Sequence, residues 1–78
     1  MQRVLVHSTT LASAGHDATA AVLELQFRNG ALYQYFHVPQ SVYGNLLGAP
    51  SKGGYFNQSI RGRYPYQRIQ NTTPANRP

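Results

Sequence analysis

Only two side chains in this sequence carry carboxylates, Asp17 and Glu24, and none carries a thiol. That leaves little material for catalysis. General acid–base chemistry needs positioned titratable groups, usually in pairs. His16-Asp17 is the one adjacent base and candidate orienter, and no nucleophile elbow frames any serine near it. His7, His16 and His37 lack the local spacing of a metal site. The expectation is a protein that is not an enzyme and needs no metal or cofactor.

The chain is richer in groups that bind. Tyr33 and Tyr35 stand two apart, so in a strand they share a face. Rings placed this way can stack on unpaired bases. Arg61, Arg63 and Arg68 interleave with Tyr64 and Tyr66, a pattern that suits single-stranded nucleic acid. Lys52-Gly53-Gly54 after Ser51 offers a lysine and open backbone N–H groups at a helix start, where a phosphate can sit. It lacks the glycine spacing of a P-loop. Each feature has a plainer reading. The tyrosines read equally as packing residues under a helix, the glycines as a close helix contact and the arginines as a solvated face.

The charge distribution favours binding. The formal net charge is +5, and no carboxylate follows Glu24. Arg28, Lys52, Arg61, Arg63, Arg68 and Arg77 all lie beyond it. An unbalanced cationic surface attracts phosphate backbones and releases their counterions. RNA or single-stranded nucleic acid is therefore the expected partner. The candidate contacts are Tyr33, Tyr35, Arg28, Lys52, Arg61, Arg63 and Arg68. The alternative is a protein partner or a homodimer, since Tyr and Arg are enriched at interfaces.

These residues must be positioned by a small domain. At 78 residues the chain allows one, spanning 1–69, with the polar, Pro/Asn-rich stretch 70–78 reading as a frayed tail. No segment approaches the ~20 apolar residues of a membrane span. No signal-peptide pattern opens the chain, so a cytoplasmic location is expected. Arg3 to His7 reads as a short strand and Leu11 to Gly15 as a second, with a turn at His16 to Thr19. Ala21 to Arg28 alternates apolar and polar residues most clearly, and Leu32 to Val38 is its return strand. Pro39 then opens a helix with Val42, Tyr43, Leu46 and Leu47 on one face. Gly48-Ala49-Pro50 breaks it. Ser51 caps a second helix carrying Tyr55, Phe56, Ser59 and Ile60. Tyr64 to Ile69 returns as an edge strand. The fold class is α+β: a small antiparallel β-sheet with a central hairpin and two short α-helices packed on one face.

The hairpin leaves two registers open. A two-residue Asn29-Gly30 loop pairs Gln26 with Tyr33 and Glu24 with Tyr35, and sets the tyrosines on a polar face. A three-residue Arg28-Asn29-Gly30 loop pairs Leu25 with Tyr33 and Leu23 with Tyr35, and sends them to the core. The first separates apolar from polar residues better and is the expected one.

Taken together, the residues resemble the KTSC domain family, known at the C-terminus of some lysyl-tRNA synthetases and as single-domain bacterial or phage proteins. The resemblance rests on Leu23-Glu24-Leu25-Gln26-Phe27, Gly30, Tyr33-Gln34-Tyr35, Val38-Pro39, Val42-Tyr43, Ala49, Ser51, Gly53, Tyr55-Phe56-Asn57, Ile60 and Tyr64. It runs from about Val4 to Tyr64. The chain departs from the family pattern at His16-Asp17, where a Tyr-Asp pair is usual, and at Ser8-Thr9-Thr10-Leu11. The resemblance implies a domain type, and through the synthetase association an RNA-binding role.

Overall fold

The computed structural model describes residues 3–69; the stretch 70–78, expected as a frayed tail, lies outside them, with Arg77 in it. Five strands form one antiparallel sheet in chain order: β1 (Arg3–Leu5), β2 (Leu11–Asp17), β3 (Val22–Phe27), β4 (Leu32–Phe36) and β5 (Tyr66–Ile69). Helices α1 (Gln40–Gly48) and α2 (Lys52–Ser59) lie between β4 and β5 in the chain. Leu46, Phe56 and Ile60 from the helical segment pack with Leu11, Ala14, Leu23, Leu25 and Tyr35 of the sheet to form the core. The α+β architecture, with both helices on one face, is the one the sequence implies.

The central hairpin adopts the other register. Leu25 opposes Tyr33 and Leu23 opposes Tyr35, so Tyr33 and Tyr35 face the helices. The loop is Arg28-Asn29-Gly30, closed by Phe27 N–H donating to the Ala31 carbonyl at 2.8 Å. A type I′ turn would need positive φ at both Asn29 and Gly30. Gly30 has it, at 92°, and Asn29 does not. Asn29 instead uses its side chain, whose Oδ1 accepts from Ala31 N–H at 3.0 Å. The backbone N–H of Arg28 is drawn out of the hairpin and donates to Thr10 at 2.9 Å. On the opposite face this register pairs Glu24 with Gln34, whose side chains hydrogen-bond at 3.0 Å. The polar residues thus segregate as well here as in the expected register, once the tyrosines are counted as core.

Other boundaries move for identifiable reasons. β2 continues through His16 and Asp17, which were expected to turn. The hairpin strands stop short at Ala21 and His37, which have φ of 56° and 63° and cannot extend a ladder. Ala21 still accepts from Val38 N–H at 2.9 Å. Pro39 occupies the N-cap of α1 rather than its first turn. Ser51 caps α2 as expected, its Oγ accepting from Gly54 N–H at 3.1 Å.

Gly53 lets α2 approach the sheet. A Cβ at that position would lie 2.6 Å from Thr10 Oγ1 and 3.1 Å from Thr10 Cβ. The glycine is there for close packing. Gly53→Ala is therefore expected to destabilise by about 1–3 kcal/mol through overpacking. Gly44→Ala in α1, where a Cβ meets nothing within 4 Å, is expected to stabilise by roughly 0.5–1 kcal/mol. Urea denaturation of both variants checks the pair.

Candidate nucleic-acid interface

An open cleft of about 430 Å³ runs along β4, between α2 and β5. Its floor is aromatic, because the register that turns Tyr33 and Tyr35 inward also sets Arg68 opposite Tyr33 and Tyr66 opposite Tyr35. Tyr33 and Tyr35 stack with centroids 6.3 Å apart. Tyr66 lies 5.7 Å from both. Phe27 meets Tyr33 edge-on at 5.6 Å, Phe56 meets Tyr35 edge-on at 5.7 Å, and the two phenylalanines lie 5.3 Å apart. This is the offset and T-shaped geometry that ring quadrupoles favour.

The three tyrosines differ in what they offer. Tyr35 is only 5 % exposed and belongs to the core. Tyr33 is half-buried. Tyr66 is 61 % exposed and presents the most ring to solvent. The sequence places it only among the aromatic residues that flank the arginines and not in the contact set, because only the pairing of β5 with β4 brings it beside Tyr35. Asn57 and Thr10 line the same cleft and were likewise not singled out.

The cations divide into two groups. Arg61, just past α2, and Arg68, on β5, line the cleft. The Arg68 guanidinium sits 6.0 Å from the centre of the Tyr33 ring, at the outer reach of a cation–π contact. The structure does not bring Arg28, Lys52 and Arg63 into the cleft. Arg28 donates to the carbonyls of Ser8 and Val6 at 2.9 and 3.2 Å. Lys52 donates to Ala49 at 3.1 Å, so it closes the α1–α2 turn rather than standing free at the start of α2. Arg63 donates to Gln58 at 2.9 Å.

Among the described residues no carboxylate lines the cleft. Glu24 lies on the other face of the sheet, 3.3 Å from Arg3. Asp17 accepts from the Thr19 and Ala20 N–H groups at 3.0 and 3.2 Å and so holds the β2–β3 turn. His16 points to the helix face instead. Its Nε2 donates to the Val38 carbonyl at 2.7 Å and its ring stacks on Tyr43 at 5.5 Å. Its Nδ1 is buried without a hydrogen-bond partner among the described residues. Neighbouring strand residues face opposite ways, so His16 and Asp17 do not form a base and its orienter. Among the described residues no three His, Cys, Asp or Glu side chains cluster as metal ligands. No described helix is long and apolar enough to cross a membrane.

Burial pushes the Tyr35 phenol from its ordinary 10.0 up to about 12, with further upward pressure from Tyr33 and Tyr66 and an opposing pull from Arg61. The folded state therefore holds this proton more tightly than the unfolded chain. The associated stability is complete below pH 10 and is lost as pH rises toward 12. Ultraviolet titration should show a phenolate step near pH 12 that Tyr35→Phe removes. Arg61→Ala should move that step higher, by removing the one charge that favours the phenolate.

A model of the KTSC domain matches residues 7–64. An uncharacterised protein of Stutzerimonas stutzeri is 44 % identical over 70 residues, covering 88 % of this chain and 99 % of the relative. A lysine–tRNA ligase of Trichormus variabilis is 39 % identical over 54 residues, covering 69 % of this chain. The chain spans only 10 % of that ligase. The crystal structure of a KTSC domain protein from Yersinia pestis superposes with a TM-score of 0.83 at 39 % identity, covering 87 % of this chain and 96 % of that one. With more than half its length matched by the family model and the fold shared, this chain belongs to the KTSC domain family.

Proposed function

We propose that this domain binds RNA or another single-stranded nucleic acid at the cleft between α2 and β5. The observation that carries the reading is the convergence of an exposed ring, Tyr66, with Arg61 and Arg68 in a cleft free of carboxylates. Rings take the bases and arginines take the phosphates, an arrangement that tolerates any sequence because every base has a π-face. The lysine–tRNA ligases among the relatives act on tRNA, as their name states, and an RNA partner is consistent with that company. The contact set is narrower than the sequence implies. Tyr66 replaces Tyr35 as the stacking ring, and Arg28, Lys52 and Arg63 are committed to backbone carbonyls.

One observation favours a second reading, self-association. The sheet face away from the helices is uncovered, and Leu5 on it is 89 % exposed. A dimer built there would persist in moderate salt, since apolar burial is not screened. A concentration-independent monomer in sedimentation would remove this reading.

The nucleic-acid reading predicts binding to single-stranded RNA that weakens steeply with salt. Tyr66→Ala should cost roughly 1–3 kcal/mol of affinity with the fold intact. Arg61→Ala and Arg68→Ala should each flatten the logarithmic salt dependence by about 0.7. Fluorescence anisotropy with labelled oligonucleotides measures all three. Absence of binding at low salt, or binding indifferent to Tyr66 and Arg68, would overturn the reading.

A further inference from the structure

We propose that the Tyr35 hydroxyl and the Arg61 guanidinium together seat a phosphate group at the floor of the cleft. The seat rests on the nucleic-acid reading and gives the phosphate its place in it. Tyr35 is 5 % exposed, with its ring held among Tyr33, Phe56 and Tyr66. Its hydroxyl hydrogen-bonds to no described residue. Yet the one polar side-chain atom both sealed from solvent and unpaired among the described residues is His16 Nδ1. The Tyr35 oxygen is therefore unpaired without being sealed, so the small open part of this residue includes its hydroxyl. Tyr35 lines the cleft, and that is where the hydroxyl opens. Buried polar groups normally find a partner, because leaving one unpaired is costly. The ring packing makes no use of this oxygen. A donor kept at that depth without an acceptor points to an acceptor that arrives with a ligand.

The surrounding charge selects an anion. Arg61 pulls against the burial that raises the Tyr35 phenol, so its charge is felt at that oxygen. The phenol still titrates only at about 12, and so remains a donor at neutral pH. The Arg61 side chain forms no hydrogen bond or ion pair with another described residue, whereas Arg28, Lys52 and Arg63 each hold a carbonyl. Arg68 reaches the same cleft from β5. No carboxylate of the described residues lies there to compete for these donors. The donors thus converge from β4, from the end of α2 and from β5. A tetrahedral phosphate carries oxygens on every side and can accept from all of them. A carboxylate offers two oxygens in one plane. Hydrogen bonds to an ionised acceptor are also the stronger kind.

The test titrates the full chain by NMR with inorganic phosphate, with acetate as the carboxylate control, and with single-stranded RNA bearing or lacking a terminal phosphate. Phosphate is expected to bind more tightly than acetate. Tyr35→Phe removes one oxygen and keeps the ring, and should weaken phosphate binding roughly tenfold or more, the loss of one hydrogen bond to a charged group. Arg61→Ala should weaken it by a similar factor, and Arg63→Ala, which removes the same charge outside the cleft, should not. In urea, Tyr35→Phe should be at least as stable as the parent chain, because its hydroxyl has no partner to lose. A merely structural hydroxyl would show the reverse pattern. The proposal is overturned if phosphate does not bind, if acetate binds as well, if Tyr35→Phe binds phosphate like the parent or is less stable, or if Arg63→Ala weakens binding as much as Arg61→Ala. A preference for the phosphorylated RNA places a terminal phosphate in the seat. Equal binding of both RNAs, each weakened by Tyr35→Phe, places an internal one there. RNA binding indifferent to Tyr35→Phe overturns the seat and leaves the nucleic-acid reading standing. Tyr35-dependent phosphate binding without RNA binding sustains the seat and removes that reading.

Discussion

The turn at Arg28, Asn29 and Gly30 decides which way every side chain in β4 faces. With three residues in the loop, Tyr33 and Tyr35 lie under the helices; with two, they would lie on the open face. The rest of the site inherits that choice. β5 pairs with β4, so its residues take their facing from the same register, and Tyr66 and Arg68 fall beside the tyrosines rather than behind them. The turn is held from outside the hairpin as well. Arg28 gives its backbone N–H to Thr10 and its guanidinium to Val6 and Ser8. A residue counted as a surface cation is therefore a strut between the hairpin and the β1–β2 connection.

Thr10 takes part in a second junction. It receives Arg28 through its carbonyl and meets Gly53 of α2 through its side chain. One short segment thus sets the distance of α2 from the sheet and the shape of the hairpin turn. Both form walls of the cleft. The separation of charge follows from the same geometry. Glu24 alternates to the open face with Gln34, and Asp17 is spent on a turn, so the aromatic side of the sheet faces only cations.

Much of the architecture was legible because it is written in local signals. The alternation over β3, Pro39 before α1, the break at Gly48 to Pro50 and the Ser51 cap each act within a few residues. The register was not legible, because Asn29-Gly30 serves either loop and the deciding partner is Thr10, far away in sequence. The site was half legible for a related reason. Spacing alone paired Tyr33 with Tyr35, but nothing local joins Tyr66 to them. Charge counting treated all arginines and lysines alike. Long side chains also reach back to carbonyls, and that is where Arg28, Lys52 and Arg63 went.

β5 is four residues long, pairs among the described residues with β4 alone and keeps Tyr66, Gln67 and Arg68 exposed. Such an edge opens at lower free energy than the core strands. Yet it supplies the most exposed ring of the cleft and one of its two arginines. The cleft is consequently complete only while β5 is docked. Whatever occupies the cleft must hold that strand in place by mass action, so occupancy and the docking of β5 are one linked equilibrium.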